Sequence, residues 1–298
     1  KVMFLYIIFL GTMIALSASS WMMAWMGLEI NMLGLLALLM SFKSPRNSEA
    51  TLKYFLIQAL ASAILICSAF SGSMLFSSLS SLDLFSNFIL SSLLIKLGAA
   101  PFHLWVPQVV EGFNWLSSAL ILSWQKIAPF ALVLFCFEKP NTLTFKLLTI
   151  SILLSAALGA MGGLSQSSSR KIVAFSSVNH MGWMLVALMS SLSLWGSYFV
   201  FYSLILFTLI SLLSSYNISS LSQNLISIDS LPQTSVFITL LSFGGLPPFS
   251  GFIPKWMVVS EIVDSPVVLT VLVVSSLFTL FFYLRLGITS LLQKSPSA

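Results

Sequence analysis

The sequence predicts an all-α polytopic membrane protein of about ten transmembrane helices. Three observations predict it. Hydrophobic residues fill 58% of the 298 positions and charged residues only 7%, where a soluble domain carries about 25% charged residues. Mean hydropathy is +1.02. The apolar runs are long and unbroken, whereas the strands of a membrane barrel would alternate apolar and polar residues. Thirteen Lys/Arg and eight Asp/Glu are too few to coat a water-exposed surface. This excludes a soluble globular enzyme, a nucleic-acid-binding protein and a disordered chain.

A span needs roughly 20 apolar residues. The first two candidates are 2–20 and 22–41, the second carrying Glu29. A charged connector with Lys43, Pro45 and Arg46 leads to 51–71. The fourth, 83–102, holds Lys96 and ends on Gly98-Ala-Ala-Pro101. After the connector Pro101–Trp115 comes 116–137 with Lys126, then a turn at Glu138-Lys139-Pro140-Asn141. The candidates 144–164, 171–190 (with His180) and 196–216 follow. A second long connector, Asn217–Gln233, precedes 234–258, which is interrupted by Gly244-Gly-Leu-Pro-Pro-Phe-Ser-Gly251 before Lys255. The last candidate is 266–288. No connector could form a water-soluble lobe, so 1–298 reads as a single membrane domain. No cleavable leader stands apart from the first span, and the start on Lys1 suggests a missing residue or an unusual start.

Ten spans place both termini on one side. Lys1, Lys43, Arg46, Lys53, Arg170, Lys171, Arg285 and Lys294 fall there, against Glu49, Glu111 and Asp229. The other side has Lys139 and Lys146, against Asp83, Glu138, Glu261 and Asp264. Eight basic residues against two make the first side cytoplasmic or organelle-matrix. The net charge of +5 then reflects topology rather than an acidic partner. The tripeptide Asn217-Ile-Ser219 fits a glycosylation acceptor but lies on that side, which argues against its use. Cys67 and Cys136 lie inside apolar runs with no CxxC or Cys/His cluster, so no metal or iron–sulfur site is expected. No phosphate-binding loop and no nucleophile–base set is present. The aromatic residues are expected to be mostly lipid-facing or interfacial, with Trp21, Trp25 and Trp195 near span ends.

Four ionisable residues, Glu29, Lys96, Lys126 and Lys255, sit inside apolar runs. A charge at the bilayer centre costs on the order of 3 kcal/mol on insertion scales. A structural ion pair or a snorkelling lysine is the plainer reading, and it fits Lys96, near a helix break, better than Lys126. The functional reading is a proton relay. Burial favours the neutral form of either group and a nearby opposite charge favours the ionised form, so a lysine whose partner can move is a switchable proton site. Glu29 is the only deep acid, and the sequence leaves open whether it meets Lys96. Lys96 and Lys255 lie beside Gly/Pro interruptions, a pointer to an ion path when such helices recur in two halves of a chain. His103 lies seven positions after Lys96, and His180 shares a helix face with Ser176. Both histidines can pass protons near neutral pH; packing is the alternative for each.

Four stretches occur in one order: Trp25–Asn31 (WMGLEIN), Lys96–Pro107 (KLGAAPFHLWVP), Ser176–Trp183 (SSVNHMGW) and Gly244–Trp256 (GGLPPFSGFIPKW). Together they resemble the subunit 2 family of NADH dehydrogenase in animal mitochondrial respiratory complex I, one of the antiporter-like membrane subunits. The resemblance runs from the first span to about Arg285. It implies two inverted five-helix repeats with discontinuous helices, here about 1–140 and 141–290. It matches Glu29 and Lys96 to the glutamate–lysine pair of the first repeat, Lys126 to the central lysine and Lys255 to the lysine of the second broken helix. It matches His103 and His180 to a central hydrophilic axis, with Ser176 as a supporting polar residue. Animal members lack three leading helices of bacterial relatives. Most have an eleventh helix, whereas this sequence ends soon after the tenth.

The resemblance further implies a mitochondrial inner-membrane location with both termini in the matrix. The expected partners are other complex I subunits, including adjacent antiporter-like and small membrane subunits, and lipids such as cardiolipin, with no nucleic acid. No cofactor or metal is expected in this chain; flavin and iron–sulfur clusters are expected elsewhere in the complex. The expected function is proton translocation within NADH:ubiquinone oxidoreductase. In that reading, separation of Glu29 from Lys96 biases Lys126, and a proton moves past His103 and His180 toward Lys255 or a neighbouring subunit. The rivals are a structural scaffold of the complex and a free-standing cation/proton antiporter.

Overall fold

The computed structural model describes residues 2–40, 44–74, 79–137, 142–216, 230–262 and 265–292. Lys1, Lys43, Glu138, Lys139, Asp229, Asp264, Lys294, the Asn217–Ser219 tripeptide and the side chain of Asp83 lie outside the described residues. Among those described, the helices in chain order are α1 (Val2–Leu16), α2 (Trp21–Leu39), α3 (Pro45–Met74), α4 (Leu79–Leu97), α5 (Trp105–Gly112), α6 (Trp115–Leu122) and α7 (Trp124–Phe137), then α8 (Thr142–Leu164), α9 (Ser169–Ser190), α10 (Leu192–Ser215), α11 (Ser230–Gly244), α12 (Phe252–Glu261) and α13 (Pro266–Leu292). Seven segments among them are long and apolar enough to cross a membrane: α2, most of α3, the α6–α7 segment, α8, α9, α10 and most of α13. Three shorter apolar helices, Val2–Leu16, Phe85–Leu97 and Gln233–Gly244, accompany them.

The chain forms two compact units. The first comprises Lys1–Phe113 and Leu120–Ile150. Its first two helices form a hairpin, and the Ser20 hydroxyl accepts the Met23 N–H to start α2. Lipid offers little drive for apolar helices to associate, so small residues set the closest approaches. A Cβ on Gly11 would lie 2.5 Å from the Asn31 backbone nitrogen, and one on Gly27 would lie 2.5 Å from that of Ala15. The two helices therefore meet backbone to backbone. Helix α3 packs on α2, α4 and α5, and α4 packs on α7.

The second unit comprises Asn114–Ala119 and Ser151–Ala298. Its centre is α9, buried along nearly its whole length. Helices α10, α12 and α13 pack around α9, and α11 packs on α10 and α13. The end of α8 approaches through Gly159, where a Cβ would stand 2.5 Å from the Asn179 nitrogen.

Two apolar segments break at the Gly/Pro interruptions that the sequence carries. Helix α4 stops at Leu97 and α11 at Gly244. Each is followed by a glycine with positive φ, Gly98 at 71° and Gly245 at 81°. Ala99 N bonds Leu94 O at 3.1 Å and Gly98 N bonds Ile95 O at 3.1 Å. Leu246 N bonds Leu241 O at 3.5 Å and Gly245 N bonds Ser242 O at 3.1 Å. Both endings are Schellman motifs, which need a residue in the left-handed region and so favour glycine. The segment expected at 116–137 is interrupted by a turn at Ser123. Helix α3 starts earlier than expected, at Pro45, because proline suits the first helical position and the polar residues 46–49 can supply a first turn.

Candidate functional site

The first unit gathers Lys96 and Lys126 on one cavity of about 20 Å³, room for roughly one water molecule. Both lysines are buried. Tyr54, Gln58, Gln125 and Asn31 supply further polar lining. Lys96 lies in the last turn of α4, the end of the helix that carries negative partial charge. Lys126 lies in the first turn of α7, where free N–H groups carry positive partial charge. Three residues on, Pro129 lies inside α7 and cannot donate to the Gln125 carbonyl.

The surroundings hold these lysines in place. Gln58 Nε2 donates to the Lys96 carbonyl at 3.5 Å, and Trp105 Nε1 donates to the Ile95 carbonyl at 3.1 Å. Side chains thus cap the exposed end of α4 and leave the Lys96 amine for the cavity. Gln125 Nε2 donates to Asn31 Oδ1 at 3.0 Å and ties α7 to α2. Glu29 lies two residues before Asn31. Its carboxylate interacts electrostatically with Lys96 and Tyr54, while its buried Oε1 accepts no hydrogen bond among the described residues. His103 is buried in the turn between α4 and α5, beside Pro101, and is not among the cavity-lining residues.

The second unit encloses His180 among aromatic rings and sets Lys255 near another, that of Trp183. His180 Nδ1 is 2.8 Å from the Tyr198 hydroxyl. Its ring packs on Phe243 at 4.6 Å and Tyr202 at 5.3 Å between centroids. Lys255 Nζ donates to the Gly244 carbonyl at 2.7 Å and lies 5.9 Å from the centre of the Trp183 ring. The amine therefore caps the last carbonyl of α11, across the break. Ser176 does not pair with His180; its hydroxyl donates to the Val173 carbonyl at 2.8 Å. Asn179 Oδ1 accepts from Ser275 at 3.1 Å.

The two lysines beside the breaks thus do different work. Lys255→Met is expected to uncap Gly244 at a cost of about 1–3 kcal/mol, lowering the melting temperature of the assembled protein. Lys96→Met leaves the Gln58 and Trp105 caps in place, and its melting temperature is expected to stay close to the parent's. Tyr198→Phe removes the hydroxyl facing His180 and is expected to cost about 1 kcal/mol, read in the same melting measurement.

Sequence reasoning missed Gln58, Gln125 and Tyr54. The signal was available: two amides and a phenol inside apolar runs. It also misplaced part of the aromatic set. Many phenylalanines are exposed on the helices, but Trp183, Tyr198, Tyr202, Tyr283 and Phe243 are fully enclosed. A tyrosine in an apolar helix carries a polar tip that packs inward when another helix supplies a partner, and composition alone does not show this.

Residues 18–280 match the family described as NADH:quinone oxidoreductase/Mrp antiporter, transmembrane. The chain belongs to that family. Among its curated relatives, NADH-ubiquinone oxidoreductase chain 2 of Anopheles gambiae is 42% identical over 293 residues, covering 95% of this chain and 84% of the relative. The same-named chain of Aedes aegypti is 42% identical over 284 residues, covering 93% and 82%. A chain in the solved structure of respiratory complex I from Thermus thermophilus with bound aureothin superposes with a TM-score of 0.85 at 27% identity. That superposition covers 96% of this chain and 69% of the other. This member of the NADH:quinone oxidoreductase/Mrp antiporter family is thus a multi-pass helical membrane protein.

Proposed function

We propose that this chain is a membrane-arm subunit of respiratory complex I that translocates protons as NADH reduces ubiquinone. The observation that carries the proposal is the pair of buried amines, Lys96 and Lys126, lining one water-sized cavity under the electrostatic influence of Glu29. Two cations facing so small a space repel each other, so the proton load of one amine depends on that of the other. The carboxylate of Glu29 is the opposite charge that sets the balance. In the second unit His180 and Lys255, each beside aromatic rings, offer two further proton-carrying groups.

In this reading the electron carriers, flavin and iron–sulfur clusters, belong to other subunits, and the chain binds no cofactor of its own. Energy reaches it as a change in position or charge at Glu29 and Lys96. The ten-span architecture follows if the three shorter apolar helices also cross, α4 and α11 together with the half-helices that follow their breaks. Two inverted five-helix repeats, about 1–140 and 141–290, then make up one membrane domain. The excess of basic residues on one side supports a reading in which both termini lie in the matrix of a mitochondrial inner membrane. Its partners are the adjacent antiporter-like and small membrane subunits and membrane lipids.

The decisive experiment measures proton output and NADH:ubiquinone turnover together in proteoliposomes holding the assembled complex. Substitution of Glu29 by Gln is expected to lower both. Full proton output in that variant, with assembly intact, would leave a scaffold role.

A further inference from the structure

We propose that the groove between α8 and α13 is a binding site for an anionic phospholipid, with one acyl chain in the groove and the phosphate at Arg285. The groove is a depression of about 200 Å³ on the outside of the second unit. Its floor is Ala160, 1% exposed, and Ser275, 3% exposed. Ala157, Met161, Val274 and Phe278 form the walls, and the last three are exposed. The floor is closed to polar headgroups. The Ser275 hydroxyl is already spent on Asn179 Oδ1 and the Leu272 carbonyl, so the lining offers carbon to its occupant.

A polar terminus lies along the same line. Arg285 follows Phe278 by seven residues, which puts both on nearly one face of α13 about 10 Å apart along its axis. Its Nη1 donates to the Leu164 carbonyl at 3.4 Å, so the side chain stands over the end of α8, one turn beyond Met161. Between them Phe282 packs against Gly163, keeping the two helices together at that end. Arg285 is exposed, and no carboxylate engages it among the described residues. Beside it the chain continues into exposed Ser165 and half-buried Gln166, whose side chains are hydrogen-bonded to each other at 3.3 Å.

This layout reads as apolar groove, then guanidinium, then the polar Ser165–Gln166 pair. A guanidinium presents a fork of donors that matches a phosphate, and basic groups beside grooves between membrane helices favour anionic headgroups. A depression of about 200 Å³ takes a stretch of hydrocarbon chain but is too small for a full turn of a helix about 10 Å across. The inference is independent of the proton reading, since it uses neither lysine cluster.

The test uses the assembled complex in nanodiscs of phosphatidylcholine with a trace of phosphatidylglycerol carrying a photoreactive acyl chain. Illumination and peptide mapping are expected to place adducts on Met161, Val274 or Phe278. Unlabelled phosphatidylglycerol is expected to displace the label at about tenfold lower concentration than phosphatidylcholine, and inorganic phosphate is expected not to compete. Arg285→Gln is expected to shrink the headgroup preference to within about twofold, with Arg285→Lys between. Adducts elsewhere, equal competition by both lipids, competition by phosphate alone, or a cross-link to a neighbouring polypeptide in the groove would overturn the proposal. If Arg285→Gln fails to assemble, mapping and competition on the parent complex decide the matter.

Discussion

An assembled complex carrying Lys126→Met is expected to lose proton output by roughly a hundredfold or more, since a positioned proton-transfer group contributes on the order of 10²–10⁴-fold. Methionine keeps the length and apolar stem of lysine but carries no proton. The substitution removes one of the two amines on the Lys96 cavity while leaving the Gln125–Asn31 bond, the Ser123 turn and Pro129 in place. The folded structure is therefore expected to survive, because a buried amine is exchanged for an apolar group of similar volume. The readout is the ratio of proton uptake to NADH oxidation in proteoliposomes, with assembly checked by native gel. An assembled variant that pumps at the parent ratio would refute the proton role of Lys126 and favour the scaffold.

The second large effect is structural. Gly98→Ala is expected to deplete the assembled protein several-fold. At φ 71° an alanine pays the left-handed penalty of about 1–2 kcal/mol. Its Cβ would also collide with Val106 Cγ2 and stand 3.1 Å from the Trp105 ring. Trp105 is the residue whose Nε1 caps Ile95, so relief of the clash loosens the end of α4. A total near 3 kcal/mol is the expected scale for such combined strain. Gly196→Ala is the matched control: that position has open space around it, and alanine is the better helix former. Abundance by immunoblot of membranes separates the two, and equal abundance would show that the turn at Gly98 tolerates a side chain.

The membrane class, the approximate apolar segments and the four deep charges were legible in the sequence because each depends on composition over a stretch or on one residue type out of place. Lys96 and Lys126 are conspicuous in apolar runs, yet thirty positions separate them. Their shared cavity needs α4 to lie on α7, which no local pattern encodes. The helix breaks were signalled by Gly98 and Gly245, but not what closes them. Gln58, far off on α3, caps one; Lys255 caps the other. The cap at Gly244 could be guessed from proximity in sequence, the one at Lys96 could not. His180 was read beside Ser176, four residues away on its own helix, whereas its hydrogen-bond partner Tyr198 comes from the next helix. Helical spacing finds neighbours along a helix and is silent about those across it.

The close approach of α1 and α2 bears on how energy could reach the lysines. With backbone against backbone at Gly11 and Gly27, neither helix can slide or roll past the other without collision. The carboxylate of Glu29 is therefore mounted on a stiff post. A change in the gap to Lys96 then falls to rotation of the two side chains or to movement of the lysine's helix, for which the glycine joint at its foot is a pivot.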